Sequence, residues 1–148
     1  MEKVMQPLKV AFIKANWHSE IVSQVLTGFE QELESRGTSY EMKTWDVPGA
    51  FEMPLLAQRL AQTGNFDAIV CAALVVDGGI YRHDFVAQAV VSGLMQAQLA
   101  TNVPVFSVSL TPHNFQPSAE FIDFYTQHFV KKGQEAARAV CQIHALEL

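Results

Sequence analysis

The stretch FDAIVCAALVV (Phe66–Val76) decides the fold. It is the most apolar segment of the chain, Gly64 closes the element before it, and Asp77–Gly78–Gly79 come directly after it. Such a run reads as a strand buried on both faces, as in a parallel sheet with helices on each side. LKVAFIKA (Leu8–Ala15) is a second run of this kind. Between them, Val22, Val25, Leu26, Phe29 and Leu33 recur at helical spacing, with Gly37 as the C′ residue. SYEMKTWDV (Ser39–Val47) then alternates as a strand and runs into PGAFEMP. Pro54 belongs in the first turn of the next helix, where its missing N–H costs nothing. Ala50, Phe51 and Glu52 are thereby left in the turn before that helix.

Beyond Val76, the residues Val86, Ala89, Val90, Gly93, Leu94 and Ala97 mark one face of a third helix. VPVFSVSL (Val103–Leu110) is the fourth strand, and a last helical region is expected from about Ser118 onward, broken near Gly133. The order βαβαβαβαα predicts an α/β three-layer αβα sandwich. Its core is a flavodoxin-like parallel four-stranded sheet with helices on both faces.

The chain has 148 residues, which suits one domain spanning 1–148 with a real core. Charged residues make up 17% and the net charge is -5 with no basic stripe, which argues against nucleic-acid binding. Cys71 and Cys141 lack CxxC spacing and read as free thiols in a reducing cytoplasm. The start MEKVMQPLKV has no signal-peptide core, and no apolar run approaches the ~20 residues of a membrane span. A cytoplasmic protein is expected. Low charge with 49% hydrophobic residues leaves apolar surface that favours a homo-oligomer.

In a doubly wound sheet, ligands bind beyond the carboxyl ends of the strands. Asn16, Trp17 and His18 come after strand one, and Pro48 to Glu52 after strand two. Asp77 to Asp84 (DGGIYRHD) come after strand three, and Thr111 to Asn114 after strand four. Two aromatics, a carboxylate, an arginine and histidines thus share one rim, whereas the opposite rim receives the blander SRGTS and QTGNF.

Each feature has a plain reading beside a functional one. Gly78 and Gly79 either permit an unusual turn or bring bare N–H groups to an anion, with Arg82 adding a charged fork. His83 is either a solvated helix-start residue or a proton carrier tuned by its neighbours. Asp84 is the expected N-cap of the helix. Trp17 either packs or offers a stacking platform for a flat heterocycle. Glu52 pairs locally or receives donors from a polar ligand. GxGxxG, a Walker lysine, HExxH and GxSxG are all missing, so a small phosphate ester is favoured over a dinucleotide, and no metal site is expected.

The segments NWH, DVPGAFEMP, VVDGGIYRHDFV and VPVFSVSLTPHNF, in this order, resemble lumazine synthase, from about Leu8 to the final helix. The tryptophan after strand one and DGGIYRHDF resemble the second bacterial type. The resemblance implies riboflavin biosynthesis: 5-amino-6-(D-ribitylamino)uracil condenses with 3,4-dihydroxy-2-butanone 4-phosphate to give 6,7-dimethyl-8-ribityllumazine, with neither metal nor redox cofactor. It implies that Trp17 stacks on the pyrimidine and that Ala50, Phe51 and Glu52 hold the ribityl chain and nearby polar atoms. Leu74, Val75, Val76 and Ser107 would line the pyrimidine, and Gly79 and Ile80 would bind phosphate through backbone N–H groups. It also implies pentamers with sites between neighbouring subunits, and for the second type a decamer of two pentamers.

Two departures from the family pattern stand out. Arg82 stands where most members carry the proton-transfer histidine, and His83 is shifted by one. An arginine, with a pKa above ~12, cannot relay a proton at neutral pH. Arg82 is therefore expected to hold phosphate or developing negative charge while His83 or a water moves the proton. Between Thr111 and Gly133 the chain runs a few residues longer than the usual form, and the family's phosphate-binding arginine has no clear counterpart. His128 and Lys132 are the candidates to replace it, and weaker phosphate binding is expected. A non-catalytic riboflavin- or lumazine-binding paralogue is the competing class. A flavodoxin-like electron carrier lacks support, since no Ser/Thr-rich loop comes after strand one.

Overall fold

A computed structural model describes residues 6–76, 83–111 and 119–146, and gives the backbone alone at 83, 119, 121 and 122. The elements are β1 (Leu8–Ala15), α1 (Ser19–Ser35), β2 (Tyr40–Val47), a 3-10 turn (Ala50–Glu52), α2 (Met53–Gln62), β3 (Ala68–Leu74), α3 (His83–Thr101), β4 (Val105–Leu110) and α4 (Ala119–His144). All strand pairs are parallel, in the order β2-β1-β3-β4. The three-layer α/β architecture expected from the apolar runs is the one observed.

Alternation along the two central strands supplies both cores. Val10, Phe12, Val70, Ala72 and Leu74 pack under α1 and α4. Ala11, Ile13, Ile69, Cys71 and Ala73 pack under α2 and α3. Phe12 meets Phe29 of α1 edge-on, with ring centroids 5.5 Å apart. Each such fully buried side chain contributes roughly 1.5–3 kcal/mol of transfer free energy.

Helix α1 stops as its sequence predicts. Gly37 adopts φ 66°, its N–H bonds the Glu34 carbonyl at 3.0 Å, and Thr38 N–H bonds the Leu33 carbonyl at 3.0 Å. This is a Schellman termination, which needs a residue tolerant of positive φ. Pro54 does stand in the first turn of α2.

Three expectations are corrected. Helix α4 is not broken at Gly133 but runs unbroken from Ala119 to His144, because Gly133 is buried against α1 at Val25. Gly28 of α1 meets the Val130 carbonyl in the same way, so the two glycines let the helix backbones touch. Asp84 lies in the first turn of α3 and not at its cap, since the helix begins at His83. On α3, Val90, Leu94 and Ala97 are buried as expected, but Ala89 is exposed. The same helix turns Phe85, Val91, Met95 and Leu99 outward, Leu99 at 70% exposure.

The outer edge of β4 is occupied by side chains. Gln98 Oε1 accepts the Val105 N–H at 2.9 Å, and Ser107 Oγ accepts the Ser109 N–H at 3.3 Å.

Candidate active site

The strands end together, so the loops leaving them meet at one rim. A cleft of about 270 Å³ opens there, lined by Ala15, Trp17, Pro48, Gly49, Ala50, Phe51, Glu52, Leu74, Val75, Val76 and Val86. Its floor is the carboxyl end of β3, and its walls are the loops leaving β1 and β2.

The β1 loop is short. His18 takes the left-handed conformation (φ 53°), and its carbonyl accepts the N–H groups of Ile21 at 2.9 Å and Val22 at 3.0 Å. The chain therefore turns within three residues, leaving Trp17 54% exposed at the cleft. On the other wall, Glu52 N–H bonds the Gly49 carbonyl at 3.3 Å, closing the 3-10 turn that presents Phe51 at 58% exposure. Trp17 and Phe51 both line the cleft, so a flat ring entering it has aromatic surface to meet. Glu52 is the one ionisable side chain among the described lining residues.

Seven of the expected site residues meet here: Trp17, Ala50, Phe51, Glu52, Leu74, Val75 and Val76. Ser107 does not. It lies mid-strand on the edge strand β4, opposite Cys71 in register and exposed, three residues short of the rim at Leu110. His128 and Lys132 sit on α4, in the helix layer on the far side of the sheet from α2 and α3. His128 stacks on Phe124 at 5.9 Å between centroids, and Lys132 Nζ is 3.1 Å from Glu135 Oε2. Neither reaches the cleft of its own chain. Gly79, Ile80 and Arg82 lie outside the described residues, as does the side chain of His83, whose backbone opens α3.

Two lining residues carried no signal of a site in the sequence. Ala15 and Val86 are small or apolar positions of a strand and a helix, indistinguishable by pattern from core. Cys71 belongs to the core beneath the cleft, where complete burial pushes its thiol well above the ordinary value. It is no nucleophile.

An apolar cleft between aromatic walls at the carboxyl rim of a parallel sheet defines a small-molecule-binding α/β protein. The family model for 6,7-dimethyl-8-ribityllumazine synthase matches residues 7–147, and the chain belongs to that family. A 6,7-dimethyl-8-ribityllumazine synthase of Rhodococcus erythropolis is 57% identical over 137 residues, 92% of this chain and 88% of the relative. A 6,7-dimethyl-8-ribityllumazine synthase 2 of Pseudomonas syringae pv. tomato is 56% identical over 131 residues, 88% of this chain and 77% of the relative. A further synthase 2, from Bradyrhizobium diazoefficiens, is 48% identical over 134 residues, 90% of this chain and 81% of the relative.

Proposed function

We propose that the chain is a lumazine synthase of riboflavin biosynthesis. It condenses 5-amino-6-(D-ribitylamino)uracil with 3,4-dihydroxy-2-butanone 4-phosphate to 6,7-dimethyl-8-ribityllumazine, releasing phosphate and water. The observation that carries this reading is the cleft itself, which Trp17, Phe51 and Glu52 line together with Leu74, Val75 and Val76 at the end of β3. Trp17 stacks on the pyrimidine, and Ala50, Phe51 and Glu52 hold the ribityl chain. The backbone of Leu74, Val75 and Val76 meets the polar edge of the ring. Holding the amine against the ketone is itself the larger part of the catalysis, because imine formation and ring closure need oriented partners. Gly79 and Ile80 take the phosphate by backbone N–H groups. Arg82 neutralises it as it leaves, and His83 or a bound water carries the proton.

A second copy supplies His128 and Lys132 in this reading, which the place of both residues on α4, away from the cleft of their own chain, supports. The uncharged outward face of α3, with Val91, Met95 and Leu99, supports assembly into a homo-oligomer, as a pentamer or a decamer of two pentamers. Residues 1–148 then act as one domain in the cytoplasm. No helix among the described residues is long and apolar enough to cross a membrane.

The test is lumazine formation by the purified protein from the two substrates, monitored by absorbance, with a riboflavin titration alongside. Turnover is expected. Tight flavin binding without turnover would instead mark a binding protein.

A further inference from the structure

Strand β1 is central in the sheet, and between Val10 and Ala15 every residue but one is buried and apolar. The exception is Lys14, whose side chain is 19% exposed. A valine there would bury without the cost of partly desolvating an ammonium, so the charge calls for a reason. Its Nζ lies 3.5 Å from Asp46 Oδ1, its register partner on β2. Among the ion pairs between described residues, this one alone joins two strands.

The position of the pair is specific. Lys14 and Asp46 stand one residue before Ala15 and Val47, where both strands end. Beyond them the Asn16 N–H bonds the Val47 carbonyl at 2.8 Å, and then the chains separate. One goes to Trp17, the other to Pro48, Ala50 and Phe51: the two aromatic walls of the cleft. Ala15 lines the cleft, so by alternation Lys14 projects from the opposite face of the sheet and does not reach the ligand.

We infer that Lys14 and Asp46 form a positioning pair that fixes the spacing of the Trp17 and Phe51 walls and thereby sets affinity for the flat heterocyclic substrate. The inference rests on the proposed reaction for the identity of that substrate, but not for the loop geometry. Uniform binding of this kind moves KM and leaves kcat alone. A partly exposed ion pair is worth about two- to fivefold.

The experiment compares wild type, Lys14→Met, Asp46→Asn, the double variant and Lys14→Arg. In Lys14→Met and Asp46→Asn, KM for the ribitylaminouracil should rise about two- to fivefold, with kcat and the KM for butanone phosphate unchanged. The double variant should cost no more than either single, and Lys14→Arg should restore the wild-type value. In the free protein the Asn16 amide should exchange its hydrogen faster by a similar factor, while the Phe12 and Val70 amides stay as in wild type. Equal KM changes for both substrates, or acceleration of all three amides together, would show a general loss of stability and overturn the inference. An unchanged Asn16 exchange rate overturns it too, even in a protein that shows no turnover, so the pair and the proposed reaction fail separately.

Discussion

Gly133 of α4 lies against Val25 of α1 so closely that a Cβ built on it would land on the Val25 carbonyl oxygen. Neither helix can retreat without uncovering Phe29 and Phe129, which are buried in the same layer. Gly133→Ala should therefore destabilise the fold by about 2–3 kcal/mol, despite the better helix propensity of alanine. Urea unfolding of the variant beside wild type measures this; an unchanged midpoint would contradict the packing.

Trp17 presents more than half its surface at the cleft, and stacking between aromatic rings is worth roughly 0.5–1.5 kcal/mol beyond the area buried. Trp17→Ala should raise KM for the ribitylaminouracil near tenfold, about 1.4 kcal/mol, and Trp17→Phe should recover most of it. Both variants should unfold near the wild-type temperature, since Trp17 is more than half exposed.

The division of the family histidine's work proposed for Arg82 and His83 is one that kinetics can resolve. Arg82→Ala should raise KM for butanone phosphate, because a charged fork at the ester is lost. His83→Ala should lower kcat and flatten its dependence on pH near neutrality. Full turnover in His83→Ala together with none in Arg82→Ala would reverse the assignment.

On α3 a lysine at position 99 or 95 would put a charge into the apolar outward face. Leu99→Lys and Met95→Lys should shift sedimentation from an oligomer toward the monomer and cost activity in proportion, since the proposed site needs a neighbour. A wild-type protein that sediments as an active monomer would refute this.

Cys71 and Cys141 should part company chemically. Burial raises the Cys71 thiol above its ordinary 9.0, so it stays protonated while folded. Iodoacetamide at mildly alkaline pH should label Cys141 and spare Cys71 until the protein is unfolded, as peptide mass spectrometry would show. Above pH 9 the unfolded chain releases this proton and the folded chain does not. The Cys71 contribution to stability is therefore complete below pH 9 and declines above it.

What was legible in the sequence was whatever rests on local pattern. The apolar runs at Leu8–Ala15 and Phe66–Val76 announce strands buried on both faces, Gly37 a helix end, and Pro54 the turn that presents Phe51. Gly133 misled because a glycine in a helical stretch reads as a stop, and only the crossing of α1 gives it another purpose. Ala89 misled because α3 is apolar nearly all round, so periodicity could not say which side faces the sheet. Ala15 and Val86 were invisible as site residues because an apolar ligand wall and an apolar core use the same side chains. Lys14 was the reverse case: a charge in a buried strand, visible in the sequence but without meaning until its register with Asp46 was known.

The side-chain acceptors along β4 have a wider effect. An open sheet edge invites a foreign strand, and such pairing is the usual start of aggregation. With the Val105 amide taken by Gln98 and the Ser109 amide by Ser107, an incoming strand finds two of its hydrogen-bonding places already filled. Addition of a foreign strand along β4 is thereby disfavoured, and the sheet is the less able to grow past four strands.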